Sequence, residues 1–321
     1  MAVGVGLGLM EFPFSGASAF WKWVDLCEQG GIDSLWQTDR LVSKMPMLEC
    51  MSAMAALAGA TKKIKFGMNV ASAGLRDPLL LAKQCATIDM LSEGRLLPAF
   101  GIGSALGPDW VSMGRPTKGR GRLTDEALEI ISRLWSGERL TYEGEFFQYK
   151  KAIISPLPAQ SQLPLWIGGS SKAAIRRTAR VGTGWLAGRE AASDVGAVVD
   201  GIKAACLEEG RTIDDDHYGA GFFYRFGTWD EPIIDKRVEL MKKTMANDGR
   251  DPKEMLAVGS VEDIMAHIER FVDGGVSKFI LRPIGVDDDD LYNQTRRLIE
   301  EVIPAVDALN SRRDAKADAA D

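Results

Sequence analysis

The sequence predicts an α/β fold, a (β/α)8 TIM barrel with insertions. Three observations point there. Short apolar runs alternate eight times with segments of helical length. No Pro/Gly/Ser-rich linker divides that alternation. The glycine-rich first run, "GVGLGLM", is not followed directly by a helix, as the phosphate turn of a doubly wound sheet requires. The length of 321 residues holds a barrel of about 250 residues plus insertions, with the doubly wound sheet as runner-up. One barrel domain is expected over residues 1–309, with an insertion at about 227–256 and a flexible tail at 310–321.

The elements follow in order. "VGVGLGLM" (3–10) is a strand, and "SAFWKWVDLCEQGG" (17–30) a helix closed by glycine. "IDSLWQTD" (32–39) is the second strand. "MLECMSAMAALAGA" (47–60) is a helix ending at Thr61, and "IKFGMNV" (64–70) the third strand. "DPLLLAKQCATIDMLS" (77–92) starts on Asp then Pro, a good helix opening. "RLLPAFGIG" (95–103) is the fourth strand, and "RLTDEALEIISRLW" (122–135) a helix with Thr124 or Asp125 near its cap. "LTYEGEFFQYKKAIISP" (140–156) leaves the pattern as a hairpin turning at Glu143–Gly144. "LPLWIGG" (163–169), a helix over 171–182, "GWLAG" (184–188) and a helix over 192–210 resume it. The seventh strand lies around "HYGAGFFYRF" (217–226), ahead of a charged, partly helical insertion. "SVEDIMAHIERFVDGG" (260–275) is a helix, "KFILRP" (278–283) the eighth strand, and a helix to about 309 closes the chain.

Composition removes several function classes. A formal charge of -6 and the lack of a Lys/Arg arm speak against nucleic acid and anionic membranes as partners. No apolar run reaches the roughly 18 residues of a membrane span, and "MAVGVGLGLMEFPF" lacks a basic leader, so a cytoplasmic protein is expected. Cys27, Cys50, Cys85 and Cys206 are isolated and form no CxxC pair. His217 and His267 have no partner at metal spacing, so neither a metal site nor a Ser-His-Asp triad is expected. General bases are scarce, which points to chemistry delegated to a cofactor.

In a barrel, chemistry gathers at the C-terminal ends of the strands. That rule selects Glu11 and Phe12, Trp36 to Arg40, Asn69 to Ser72, Gly101 to Ser104, Gly168 to Ser171, Arg189 and Glu190, Tyr224 and Arg225, and Arg282. In "GGSSKAAIRR", Gly168 and Gly169 allow close backbone approach, and Ser170 or Ser171 can cap a helix whose first amides suit an anion. A plain strand–turn–helix junction with a serine cap explains the same residues. "GIGS" (101–104) offers side-chain-free backbone against which a flat ring can lie. "WQTDR" (36–40) sets an acid beside a base at a strand end.

Taken together, "LWQTDR", "ATKKIKFGMNV", "RDPLLLAKQCATIDMLSEGRLLPAFGIG", "LTDEALEIISRLW" and "LPLWIGGSSKAAIRRTARVGTGW" resemble the bacterial luciferase-like superfamily of flavin- and deazaflavin-dependent oxidoreductases. The resemblance covers about residues 3–305. It implies a TIM barrel whose mouth holds the ring of FMN or of the deazaflavin coenzyme F-420, without a metal. It implies a non-proline cis peptide at Asn69–Val70 beneath that ring, and a phosphate turn at Gly168, Gly169, Ser170 and Ser171, with Trp185 packed below it. Gly101, Gly103 and Ser104 complete the expected cofactor site. Asp39 is expected to hydrogen-bond the ring or substrate and, with Arg40, to be catalytic. Phe12, Trp36, Tyr224, Arg225 and Arg282 are expected to contact a small organic substrate. Deazaflavin relatives often carry Asp-His after the second strand, where this chain has Asp39–Arg40. A sugar-phosphate branch has glutamate where Ser104 stands. The missing Asp-His pair tips the expectation toward a reduced-flavin monooxygenase served by a flavin reductase. Deazaflavin-dependent hydride transfer is the alternative. A non-catalytic flavin binder and a cofactor-free barrel acting on a phosphorylated metabolite rank below both. A homodimer is implied, with the 227–256 insertion setting substrate specificity.

Overall fold

The computed structural model describes residues 2–105, 107–245 and 250–318. In chain order its strands are β1 (Gly4–Leu9), β2 (Ser34–Gln37), β3 (Lys65–Met68), β4 (Ala71–Ser72), β5 (Leu96–Leu97), β6 (Ala99–Gly101), β7 (Leu140–Glu143), β8 (Gln148–Ala152), β9 (Trp166–Gly168), β10 (Gly184–Leu186), β11 (Tyr218–Ala220), β12 (Phe223–Phe226), β13 (Leu256–Gly259) and β14 (Lys278–Pro283). Its helices are α1 (Ala17–Gln29), α2 (Cys50–Ala60), α3 (Pro78–Leu91), α4 (Asp109–Ser112), α5 (Arg120–Trp135), α6 (Lys172–Val181), α7 (Ala192–Glu208), α8 (Pro232–Thr244), α9 (Val261–Asp273), α10 (Asp288–Arg297) and α11 (Ile303–Asp318).

The strands close into a parallel ring. β14 pairs with β1, β1 with β2, and β2 with β3; β3 pairs with β5 and β4 with β6; β6, β9, β10, β11 and β14 complete the circuit. β3 and β4 are one strand interrupted at residues 69–70, β5 and β6 one strand interrupted at Pro98, and β11 and β12 one strand interrupted at residues 221–222. Counted this way, the ring has eight members, as the alternation predicts. The expected hairpin forms as β7 and β8, antiparallel and outside the ring.

Three buried apolar clusters are found among the described residues, one of them under α8 and including Phe223, Ile234, Val238 and Met241. Trp36, Ala99, Trp166, Leu186 and Ile280 fill the barrel interior. The Trp36 and Trp166 rings meet edge-on at 6.3 Å, and Trp36 Nε1 donates to Ser34 Oγ at 2.9 Å. Room for the indole comes from Gly67, where a Cβ would lie 2.7 Å from the Trp36 ring. Trp36 is therefore a plug of the barrel, not the substrate contact expected of it. The largest cluster lies between the ring and the helices, where it includes Phe66, Ile130, Phe222, Phe271 and Phe279.

Several expectations need correction. α5 starts at Arg120, capped by Gly119 at φ 82; Thr124 is buried inside the helix and Asp125 instead pairs with Arg177. The insertion, read as charged and partly helical, leads at its end into a strand that the sequence pattern does not predict. This is β13, a parallel strand paired with β12 from Phe223↔Leu256 to Phe226↔Gly259. The last helix runs on to Asp318, into the segment read as a flexible tail, and Asn310 accepts from Val3 N (2.8 Å) and donates to Val3 O (3.0 Å).

Three residues expected at the substrate pack elsewhere. Tyr224 is fully buried, with its hydroxyl donating to Gln294 O at 3.3 Å. Arg225 is clamped by Glu231 (2.6 Å), Asp290 (2.8 Å) and Ile284 O (2.9 Å). Phe12 stacks with Phe14 and Phe20 at 5.5 and 5.7 Å. Arg225 thus fastens the end of β12 to the start of α8 and to α10. Arg225→Ala should cost about 2 kcal/mol in urea unfolding, because two carboxylates and a carbonyl lose a partly buried donor.

Candidate active site

At the C-terminal ends of the strands lies a cavity of about 480 Å³. Its floor is the break between β3 and β4, where the Asn69–Val70 peptide is cis. The Val70 side chain rises between two glycines. A Cβ on Gly101 would lie 2.8 Å from Val70 Cγ2, and one on Gly168 3.0 Å from it, so both positions exclude a side chain. Asn69, Val70, Gly101, Gly103, Ser104, Gly168 and Gly169 all line the cavity, as expected of a ring cradle. Gly103 is held at φ 68, beside Ser72 and the Trp110 indole.

The glycine-serine turn follows β9. Gly169 sits at φ 105, and its carbonyl accepts Trp185 Nε1 at 2.8 Å, so Trp185 does pack beneath the turn. Ser171 caps α6, its Oγ accepting from Ala174 N at 3.2 Å. The Ser170 hydroxyl donates to Glu190, whose other oxygen accepts from Gly188 N (2.6 Å) and Arg189 N (3.1 Å). Ser170 is thereby committed to a buried carboxylate. What the turn offers an anion is the main-chain N–H groups opening α6, which have no intrahelical acceptor.

Asp39 does not reach the cavity wall. Arg76 takes both of its oxygens, Nη1 to Oδ2 at 2.7 Å and Nη2 to Oδ1 at 2.8 Å, and Ser72 N donates to Oδ2 at 3.0 Å. The expectation of an acid facing ring or substrate is corrected accordingly: Asp39 positions the β3–β4 break. Glu49, the α2 cap, also accepts from Arg76 at 2.8 Å, and Cys50 Sγ lies 3.4 Å from the same nitrogen. Asp39, Glu49 and Cys50 converge closely enough to suggest a metal, but the cation among them is the Arg76 guanidinium. Burial alone would weaken the Arg76 proton's hold; the Asp39 carboxylate more than reverses that, and its pKa stands above the ordinary value. Burial would raise Glu49, but Arg76 and the Ser52 amide and hydroxyl outweigh it and hold the carboxyl low.

Among the described residues lining the cavity, the ionisable side chains are Arg40, Arg189 and Arg282. Arg40 stands 3.7 Å from Asp109, which also accepts from Leu41 N and Val42 N at 2.8 Å. Arg282 lies over the Phe223 ring at 5.6 Å, and its Nε is sealed from solvent without a partner among the described residues. Burial, then the neighbouring Arg237 guanidinium, pull its pKa down to about 10. The rest of the wall was not singled out from sequence: Met10, Thr38, Ile102, Leu186, Phe223 and, from the insertion, Met241, Met245 and Met255. His217 is far from this end, since it precedes β11, donates from Nδ1 to Thr183 O (2.8 Å) and packs on Trp166. All four cysteines are buried free thiols.

An eight-stranded parallel barrel with a glycine-lined cavity at the C-terminal ends of its strands defines a (β/α)8 protein. The chain matches the family described as luciferase-like monooxygenase over residues 13–255, and it belongs to that family. It is similar to an F420-dependent glucose-6-phosphate dehydrogenase of Microbacterium testaceum, 30% identical over 198 residues, covering 59% of each chain. The chain thus spans under two thirds of the length of the curated relatives it matches first. Among solved structures it resembles an F420-dependent secondary alcohol dehydrogenase (TM-score 0.80, 20% identity, 95% of this chain and 99% of that one). Monooxygenase RslO1 from Streptomyces bottropensis gives the same TM-score at 18% identity, over 94% of this chain and 99% of that one. Both likenesses establish the barrel fold. Among the described residues no helix is long and apolar enough to cross a membrane.

Two outcomes follow from this geometry. Gly101→Ala should destabilise by about 1–3 kcal/mol through collision with Val70, and adding Val70→Ala should recover part of that loss in denaturant melts. Arg76→Met leaves the Asp39 carboxylate, 2% exposed, without its counter-ion and should cost about 3–5 kcal/mol. The pH dependence has a definite sign. A carboxyl depressed in the folded state, such as Glu49, contributes stability above its unfolded value, and that stability is lost as pH falls through the folded one. Melting temperature should therefore drop below about pH 4.3 in the parent, and less steeply in Arg76→Met.

Proposed function

We propose that this protein is an oxidoreductase that binds a flavin-type tricyclic ring on the Val70 floor and transfers hydride with the deazaflavin F-420. The observation that carries the ring assignment is the Val70 side chain set between the side-chain-free Gly101 and Gly168 at a barrel mouth. Support for the deazaflavin comes from the sequence relative, an F420-dependent glucose-6-phosphate dehydrogenase, while the two fold neighbours divide between an F420-dependent enzyme and a monooxygenase. This reverses the lean toward FMN that the missing Asp-His pair gave.

When bound, the deazaflavin would supply hydride transfer at its C5. The chain's own residues do the rest. The α6 amides hold the phosphate. Thr38 and Asn69, both on the wall, offer short polar groups to the ring edge. Phe223 and the three methionines exclude water from the ring's open face. The arginines stabilise negative charge near the reduced ring without exchanging protons.

Arg40 favours a second reading, the reduced-FMN monooxygenase of a small organic substrate, with a partner reductase. Arg40 stands where deazaflavin relatives often have histidine. Parallel fluorescence and absorbance titrations with F-420 and FMN discriminate the two. Saturable binding of F-420 at least roughly tenfold tighter than FMN is expected. The opposite preference moves the protein to the monooxygenase reading, and binding of neither removes the ring assignment.

A further inference from the structure

Four buried or half-buried arginines of this protein fall into two groups. Arg76, Arg177 and Arg225 each hold carboxylates: Asp39 and Glu49, Asp125, and Glu231 with Asp290. Arg282 holds none among the described residues, although it lies at the end of β14 with its Nε sealed from water. Its backbone N–H is committed to Phe222 O at 2.9 Å. The nearby Glu11 is already taken by Arg237 at 3.0 Å. A half-buried guanidinium whose Nε is sealed and which has no carboxylate partner among the described residues is left undercompensated, and its planar fork matches a carboxylate. Opposite it the cavity is apolar, walled by Phe223, Met241, Met245 and Met255.

We infer that the substrate is an organic acid with an apolar body, its carboxylate paired with Arg282 and its body laid against Phe223 and the three methionines. The carboxylate is the counter-ion that Arg282 lacks. The apolar body replaces water along walls that offer it no hydrogen bonds. A neutral ligand of the same shape fills the roof but leaves the guanidinium unpaired; a sugar satisfies the cation but wets the methionines. Arg282 here selects and orients, and it moves no proton. The inference rests on the proposed function only in treating the acid as substrate beside a ring on the Val70 floor.

The test is calorimetric, on the full chain, with octanoate and 1-octanol as probes and F-420 and FMN titrated separately. Octanoate should bind one to one and at least tenfold tighter than 1-octanol. R282M should weaken octanoate by about tenfold to a hundredfold, the worth of a charge-assisted hydrogen bond, and leave 1-octanol unchanged. Its melting temperature should not fall, because the substitution removes a half-buried charge that has no counter-ion among the described residues. R282K should restore part of the octanoate affinity. Equal binding of octanoate and 1-octanol overturns the inference, as does an R282M that keeps full octanoate affinity. So does an R282M that loses cofactor affinity and keeps octanoate, since the cation then serves the cofactor. Arg282-dependent octanoate binding in a protein that binds neither cofactor sinks the cofactor reading and leaves the carboxylate site standing. Should R282M not fold, R282Q makes the same comparison.

Discussion

The mouth of this barrel depends on one buried ion pair. Asp39 and Arg76 come from neighbouring strand ends, 37 residues apart, and meet through two parallel hydrogen bonds. The same carboxylate catches the Ser72 amide just past the β3–β4 break, and the same guanidinium catches the cap of α2. The break cannot shift without disturbing that pair. Val70 therefore stays between Gly101 and Gly168 on the floor of the cavity. The pairing also decides what Asp39 cannot do. With both oxygens engaged, it holds backbone in place and lies off the cavity wall.

The site divides its tasks among different kinds of group. Backbone makes the floor and the anion turn, sulfur and aromatic carbon make the roof, and arginines supply charge. The described wall carries no carboxylate and no imidazole. Side chains of this composition can orient a ligand, offset negative charge and keep water out, but they cannot shuttle protons near neutral pH. That division suits chemistry carried by a bound ring.

Much of this was legible in the sequence, and the exceptions have physical causes. The barrel could be read because each β–α unit repeats the same apolar punctuation, and the cradle because glycines cluster at strand ends. The strand-end rule, however, gives depth and not direction. Successive residues on a strand face opposite ways, so Phe223 enters the cavity while Tyr224 turns to α10. Trp36 was misread for a related reason: an aromatic at a strand end can fill the pore as well as its rim, and Gly67 on the next strand makes that room. The partners of Asp39 and Arg225 lie too far along the chain to be read locally. β13 was hidden by its length, four residues after a charged segment. The methionines at 241 and 245 do carry a signal, a helical spacing that puts both on one face of α8.

The covering element over the cavity is anchored at several places. Arg225 grips Glu231 at the start of α8, Arg237 in its middle reaches Glu11 beyond β1, and the β12–β13 ladder ties the segment's far end to the sheet. It behaves as a strut braced against the barrel, not as a flap on a hinge. None of its three braces uses Met241, Met245 or Met255. Yet the same methionines are buried in one apolar cluster with Ile234, Val238, Leu256, Val258 and Ile284, so the residues that shape the space below also make up the segment's own core. Ligand choice and structural integrity are therefore coupled in this segment.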